Sequence, residues 1–133
     1  MVGILLLMHE PLASAFKTAV NHLFDDNAGS LIAIDVKADQ DPFDIDQQAQ
    51  AAVKMLDGGS GVLVFTDMLG GTPANCCQHL KCGKSVVQVL AGTSLPMLLR
   101  AVTYRTETLE TVVNKALQGS RNGAVRIDLT EPR

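Results

Sequence analysis

Two stretches of this sequence hold residue types that could bind and transfer an anionic group. In GILLLMH, residues 3–9, an almost wholly apolar run ends on His9, and TDMLGGTPAN, residues 66–75, places Asp67, Gly70, Gly71 and Thr72 within six positions. An imidazole whose Nδ1–H is held by a carboxylate presents a bare Nε2, which is a nucleophile at neutral pH. Asp67 comes just as the apolar run Val62–Phe65 ends, so its carboxylate would stand at the rim of a sheet beside such a ring. Gly70 and Gly71 allow a sharp turn that exposes amide N–H groups. Thr72 would then cap a helix starting at Pro73, and helix N-termini attract anions. If Nε2 of His9 takes a phosphoryl group, the amides after Gly70 and the Thr72 hydroxyl can receive its oxygens. Each charge-assisted bond contributes ~1.5–3 kcal/mol, so two or three would hold a phosphohistidine with no metal and no cofactor.

Taken singly these features are weak. Glycine-rich turns are mostly structural, and no Lys follows the glycines as a nucleotide-binding loop requires. A lone strand-end His is usually a polar residue meeting water. The combination is what points to chemistry. His22 and His79 lie within helical stretches, away from strand ends, and read as surface or packing residues. Cys76, Cys77 and Cys82 fall within seven positions and form an odd set. Neighbouring cysteines rarely pair, and no second Cys/His cluster stands at zinc spacing, so they read as small apolar residues of a reducing compartment.

The elements that must carry these residues are legible as alternating patterns. The apolar runs Val2–Met8, Leu31–Val36, Gly61–Thr66 and Ser85–Ala91 predict four strands, nearly continuous in hydrophobicity as in parallel sheets covered on both faces. A helix is expected over Leu12–Phe24. A second starts at Asp41-Pro42, with Asp44 and Asp46 as first-turn acids, and runs to about Leu56. A third starts at Thr72-Pro73 and ends near Gly83. A fourth opens at Thr93 or Ser94 and breaks near Tyr104-Arg105, and a fifth runs from a Thr106 cap to about Gln118. Ala124–Leu129 alternates apolar and polar residues and reads as an antiparallel edge strand. The pattern predicts an α/β fold: a doubly wound, mostly parallel open sheet with helices on both faces and that antiparallel C-terminal strand at its edge. In such folds ligands gather at the carboxyl ends of the strands, where His9, the 66–75 stretch and AGTSLPML, residues 91–98, would all open.

At 133 residues, one domain over 1–133 is expected. A net charge of −3 with no basic run argues against nucleic acid. The longest apolar run, Ile4–Met8, is too short to cross a bilayer and lacks the flanks of a signal peptide, so a cytoplasmic location is expected. Other α/β binders fit poorly. A receiver domain needs an acidic pair after the first strand, where Glu10 stands without an adjacent Asp. A flavin site wants hydroxyls where MHEPLAS offers only Ser14, and a dinucleotide fold wants a glycine-rich turn there.

His9 closing the first strand, TDMLGGTPAN after the third and AGTSLPMLLRA after the fourth, in that order and spacing, resemble the mannose-type IIA components of the bacterial phosphoenolpyruvate-dependent sugar phosphotransferase system. The resemblance covers Val2 to about Leu129. It implies a phosphotransferase that is itself a phosphoprotein: His9 takes a phosphoryl group from the carrier HPr and passes it to a IIB partner. Asp67 would orient the ring, and Gly71 and Thr72 would contact the phosphoryl group. It implies no cofactor, a homodimer formed by exchange of Ala124–Leu129, and a membrane role only through IIC and IID components. Two positions depart from the pattern: Glu10 where many members have Gly, and Leu69 where sugar-specific members carry a bulky aromatic. No IIB domain is expected after Leu129, so a IIB partner would be a separate chain or missing. A phosphorylation-state signalling module using His9 as a switch, and the phosphoryl-donor subunit of a dihydroxyacetone kinase, are the alternatives.

Overall fold

A computed structural model of the chain describes residues 1–77, 80 and 85–130. The elements run β1 (Gly3–His9), α1 (Leu12–Leu23), β2 (Leu31–Val36), α2 (Pro42–Leu56), β3 (Val62–Phe65), α3 (Thr72–Cys76), β4 (Val87–Leu90), α4 (Leu95–Thr103) and α5 (Leu109–Gly123). The strands form one parallel sheet in the order β2-β1-β3-β4. The chain therefore reverses direction across the sheet between β1 and β3, and the carboxyl ends of these two strands flank the crevice.

Both faces of the sheet are covered. Ile4, Leu6 and Met8 of β1 pack with Leu63 and Phe65 against α1, α4 and α5. Leu5 and Leu7 pack with Val62 and Val64 against α2 and α3. Side chains alternate along a strand, so His9 follows Leu5 and Leu7 onto the α2/α3 face. Helix α2 starts as its sequence demands: Asp41 accepts a hydrogen bond from the Phe43 N–H at 3.0 Å, with Pro42 in the first turn.

The structure corrects several expectations. Gly71, in extended backbone, is the N-cap of α3, and Thr72 is its first residue with no side-chain capping bond. The expected course of that helix to Gly83, with His79 and Cys82 on it, lies largely outside the described residues. The Thr106 cap is also displaced, because Glu107 N–H closes a turn onto Tyr104 O at 2.9 Å. Thr108 caps α5 instead, accepting from Thr111 N–H at 3.2 Å. Helix α5 continues past Gln118 to Gly123 because its two glycines are contacts, not stops. A Cβ at Gly119 would lie 2.6 Å from the Pro96 carbonyl oxygen, and one at Gly123 2.6 Å from Pro96 Cγ. Finally, no antiparallel strand is present over 124–129, which are exposed and joined to no strand by a backbone hydrogen bond. Alternation gives a strand one apolar face, but a strand also needs a ladder partner. Its nearest candidate, β4, is only partly covered: Val89 is 38% exposed, whereas β1 and β3 are buried almost throughout.

Among the described residues no helix is long and apolar enough to cross a membrane.

Candidate active site

His9 is the last residue of β1, paired with Val36 of β2. Asp67 follows β3 by two positions and reaches across the crevice. Its Oδ2 accepts from His9 Nδ1 at 2.6 Å and from the His9 backbone N–H at 3.2 Å. Its Oδ1 accepts from Met68 N–H at 3.0 Å. An ionised carboxylate can only accept, so Nδ1 carries the proton and Nε2 is left bare. Burial pushes the Asp67 carboxyl up, but the bonds from the His9 side chain and backbone, with the charge the ring carries in its protonated form, outweigh it. The net position is below the ordinary carboxylate value. The His9 side chain is 43% exposed and that of Asp67 only 13%, so the anchor is sheltered while the ring meets solvent.

The glycine bend closes over the ring. A Cβ built on Gly71 would come within 2.9 Å of His9 Cε1 and 3.6 Å of Nε2, so only glycine fits with the ring where it stands. Gly70 has φ +84°, the left-handed region, and open space around it. Gly70 therefore makes the turn and Gly71 makes the approach. Pro73 has no N–H, so Gly71, Thr72 and Ala74 supply the amides at the start of α3.

The loop after β4 ties the crevice together from the other side. Gly92 N–H donates to the Asp67 carbonyl at 3.1 Å, and Thr93 Oγ1 to the Thr66 carbonyl at 2.7 Å. The carbonyls flanking the Asp67 peptide are thus held, and with them the carboxylate. One pair went unread in the sequence: Asp35 accepts from Ser14 N–H at 3.1 Å and from Ser14 Oγ at 2.6 Å, fastening the start of α1 just after His9. The signal was there, a lone acid inside the apolar run LIAIDV. Glu10, the residue after His9, is exposed, and so are Met68 (56%) and Leu69 (84%) in the loop after Asp67.

Cys76 and Cys77 keep their protons. Burial pushes the Cys77 thiol up to about 12, helped by Cys76 and Asp46, and burial with the Asp46 charge raises Cys76 as well. Among the described residues no group of three or more His, Cys, Asp or Glu side chains could hold a metal ion.

Residues 3–117 match the family model described as EIIA-man, the PTS system fructose IIA component. The chain belongs to this family. The IIA chain is 29% identical over 79 residues to the PTS system mannose-specific EIIAB component of Escherichia coli, a stretch that is 58% of this chain and 24% of that protein. It thus matches about a quarter of the length of that curated relative. Its backbone superposes on the phosphotransferase system component EIIA from Streptococcus agalactiae with a TM-score of 0.83 and 27% identity, covering 95% and 97% of the two chains. The mannose/sorbose specific IIA subunit from Enterococcus faecalis has the same fold, with a TM-score of 0.85 at 20% identity over 99% and 98%. Members of this IIA family are phosphotransfer proteins of sugar transport.

Proposed function

We propose that residues 1–133 act as a single mannose-type IIA domain, a cytoplasmic phosphohistidine carrier with His9 Nε2 as the acceptor. The observation that carries this reading is the 2.6 Å bond from His9 Nδ1 to Asp67, which leaves one ring nitrogen free at the crevice where Gly71 approaches. In this reading the lone pair of Nε2 attacks the phosphorus of phosphorylated HPr, and the donor's histidine leaves with its electron pair. Asp67 stabilises the cationic ring that results, and the amides of Gly70, Gly71 and Thr72, with the Thr72 hydroxyl, take the phosphoryl oxygens. Reversal of the same step onto a IIB partner completes the relay. The site needs no cofactor of its own, and the membrane is reached only through IIC and IID.

Dimerisation by exchange of residues 124–129 belongs to the same proposal. Pro96 near the start of α4 meets Gly119 and Gly123 near the end of α5, so the tail leaves at the carboxyl edge of the sheet. A strand running from there along β4 is antiparallel to it. The tail's exposed Val125, Ile127 and Leu129 supply one face for it.

The deciding experiment incubates the protein with labelled phospho-HPr. Wild type should take an acid-labile, base-stable phosphate and His9→Ala should take none while keeping its fold. A labelled His9→Ala protein overturns the assignment. The exposed Glu10 carboxylate beside His9 favours a second reading, a regulatory switch with an altered partner surface. Addition of candidate IIB proteins separates the two: onward transfer marks a relay, and retained label marks a switch.

A further inference from the structure

Beside the His9 crevice, between the first turns of α2 and α3, lies a cavity of about 270 Å³ lined by Pro42, Asp46, Thr72, Asn75 and Cys76. Asp46 is the fifth residue of α2 and turns toward α3, not among the first-turn acids, where only Asp44 stands. Its Oδ1 is shut from solvent and has no hydrogen-bond partner, the one such side-chain atom among the described residues. A buried, unsatisfied carboxylate oxygen needs a physical reason, because leaving it so costs free energy. The described lining supplies none: it has a hydroxyl, an amide and a thiol that stays protonated, and among the described residues no Lys, Arg or His lines it. The cavity's formal charge is negative, and Thr72 belongs both to it and to the proposed phosphoryl cradle.

We propose that this cavity receives a cationic side chain, the guanidinium of an Arg or the ammonium of a Lys, from the protein that exchanges phosphoryl with His9. This rests on the phosphocarrier reading for its partner. A phosphoryl group brings about 1.5–2 negative charges toward an acid that no described lining residue neutralises. A cation brought by the same partner pairs with Asp46 on docking and offsets that repulsion at the moment of transfer. An arginine fits the Asp46 carboxylate in a planar, two-point geometry and leaves the Asn75 and Thr72 oxygens as further acceptors. Asp46 is then a positioning residue: it sets how tightly the partner docks and leaves the reacting atoms alone.

The test has two arms. In the first, KM and kcat for phospho-HPr are measured for wild type, Asp46→Asn and Asp46→Glu, with the exposed Asp44→Asn as control. Asp46→Asn should raise KM about tenfold with kcat little changed, Asp46→Glu should recover most of the loss, and the salt dependence of KM should flatten in the Asn variant. An unchanged or lower KM in Asp46→Asn overturns the proposal, since an acid that only repels the phosphoryl group gives that sign. The second arm needs no transfer: ¹⁵N-labelled protein is titrated with n-butylguanidinium and with neutral n-butylurea. Shifts at Asp46, Asn75 and Cys76 with the cation alone, lost in Asp46→Asn, support the cation site, and equal shifts with both probes overturn it. Should wild type take no phosphoryl group, the carrier reading fails and this second arm still decides the cavity.

Discussion

The α-carbon of Gly71 stands so close to the His9 ring that a methyl group on it would meet Cε1 at 2.9 Å. A side chain there would have to turn the imidazole or lift the bend, and either change moves Nε2 away from the amides that follow. Gly71→Ala is therefore expected to cut the rate of phosphoryl acceptance at least about tenfold, a barrier of ~1.4 kcal/mol, with a smaller effect on folding. Gly70→Ala should behave in the opposite way. Its φ of +84° costs an L-residue ~1–2 kcal/mol, but open space surrounds it. Urea melts and labelling rates on the two variants check the contrast, and equal rates for both would separate the Gly71 contact from the chemistry.

Asp67→Asn is expected to preserve the fold and slow transfer, because an amide can donate to Nδ1 and favour the wrong tautomer. The loss of ~10⁴ known for the matching change in a serine-protease triad is an upper bound for this more exposed ring. The same substitution should alter the acid limb of stability. The folded Asp67 carboxyl lies below its ordinary value of 3.8, so its stabilising contribution is complete above 3.8 and is lost as pH falls through the lower folded value. Stability profiles between neutral and acid pH should be flatter at the acid end for Asp67→Asn, and imidazole ¹⁵N shifts report the tautomer directly.

What the sequence reveals and what it hides follow from range. The strands β1 and β3 are readable because both of their faces are buried, which leaves an unbroken apolar run. The Asp41-Pro42 start is readable because a cap is a contact between residues two apart. His9 and Asp67 are 58 positions apart, and only the sheet order β2-β1-β3-β4 brings them together. Alternation of elements suggests that meeting; it does not fix which strand lies beside β1. Gly119 reads as a helix stop when its neighbours are considered alone, and as a helix contact once Pro96 is seen against it. Asp46 reads as a helix-start acid for the same reason, since its cavity exists only where α2 packs on α3.

Arg105 is a second case of long-range assembly, and it sits away from the crevice. The residue is 4% exposed, and its guanidinium donates to the carbonyls of Val2, Ala28 and Ser30 at 2.7–3.2 Å. It thereby pins the start of β1 and the turn before β2 to the α4–α5 connection. Burial lowers its pKa, yet a guanidinium keeps its proton. Arg105→Met strips these carbonyls of donors and should cost about 3 kcal/mol or more of stability by urea denaturation. The folded fraction should still accept phosphoryl at the wild-type rate, because Asp67 and His9 are untouched.

Thiol chemistry offers a check on the α3 region. With the Cys77 thiol pushed up to about 12, roughly one molecule in 10⁴ carries its thiolate at pH 8. Iodoacetamide should therefore leave Cys77 unmodified in the native protein and alkylate it on unfolding in urea. Peptide mass mapping reads this directly, and rapid native labelling at Cys77 would show that α3 opens.

The tail makes the last prediction. Val125, Ile127 and Leu129 are 72%, 73% and 89% exposed, and the outer strand β4 leaves Val89 partly in water. Two copies that trade tails would cover both surfaces and complete two antiparallel ladders at once, which gives each tail the partner it lacks alone. Sedimentation should accordingly report a dimer for wild type and a monomer for Ile127→Asp, since a carboxylate on the apolar side of the new strand must be buried unpaired. Phosphoryl acceptance by the monomeric variant should persist, because His9, Asp67 and Gly71 all come from one chain. A wild-type protein that sediments as a monomer across the micromolar range would remove strand exchange and leave the carrier chemistry standing.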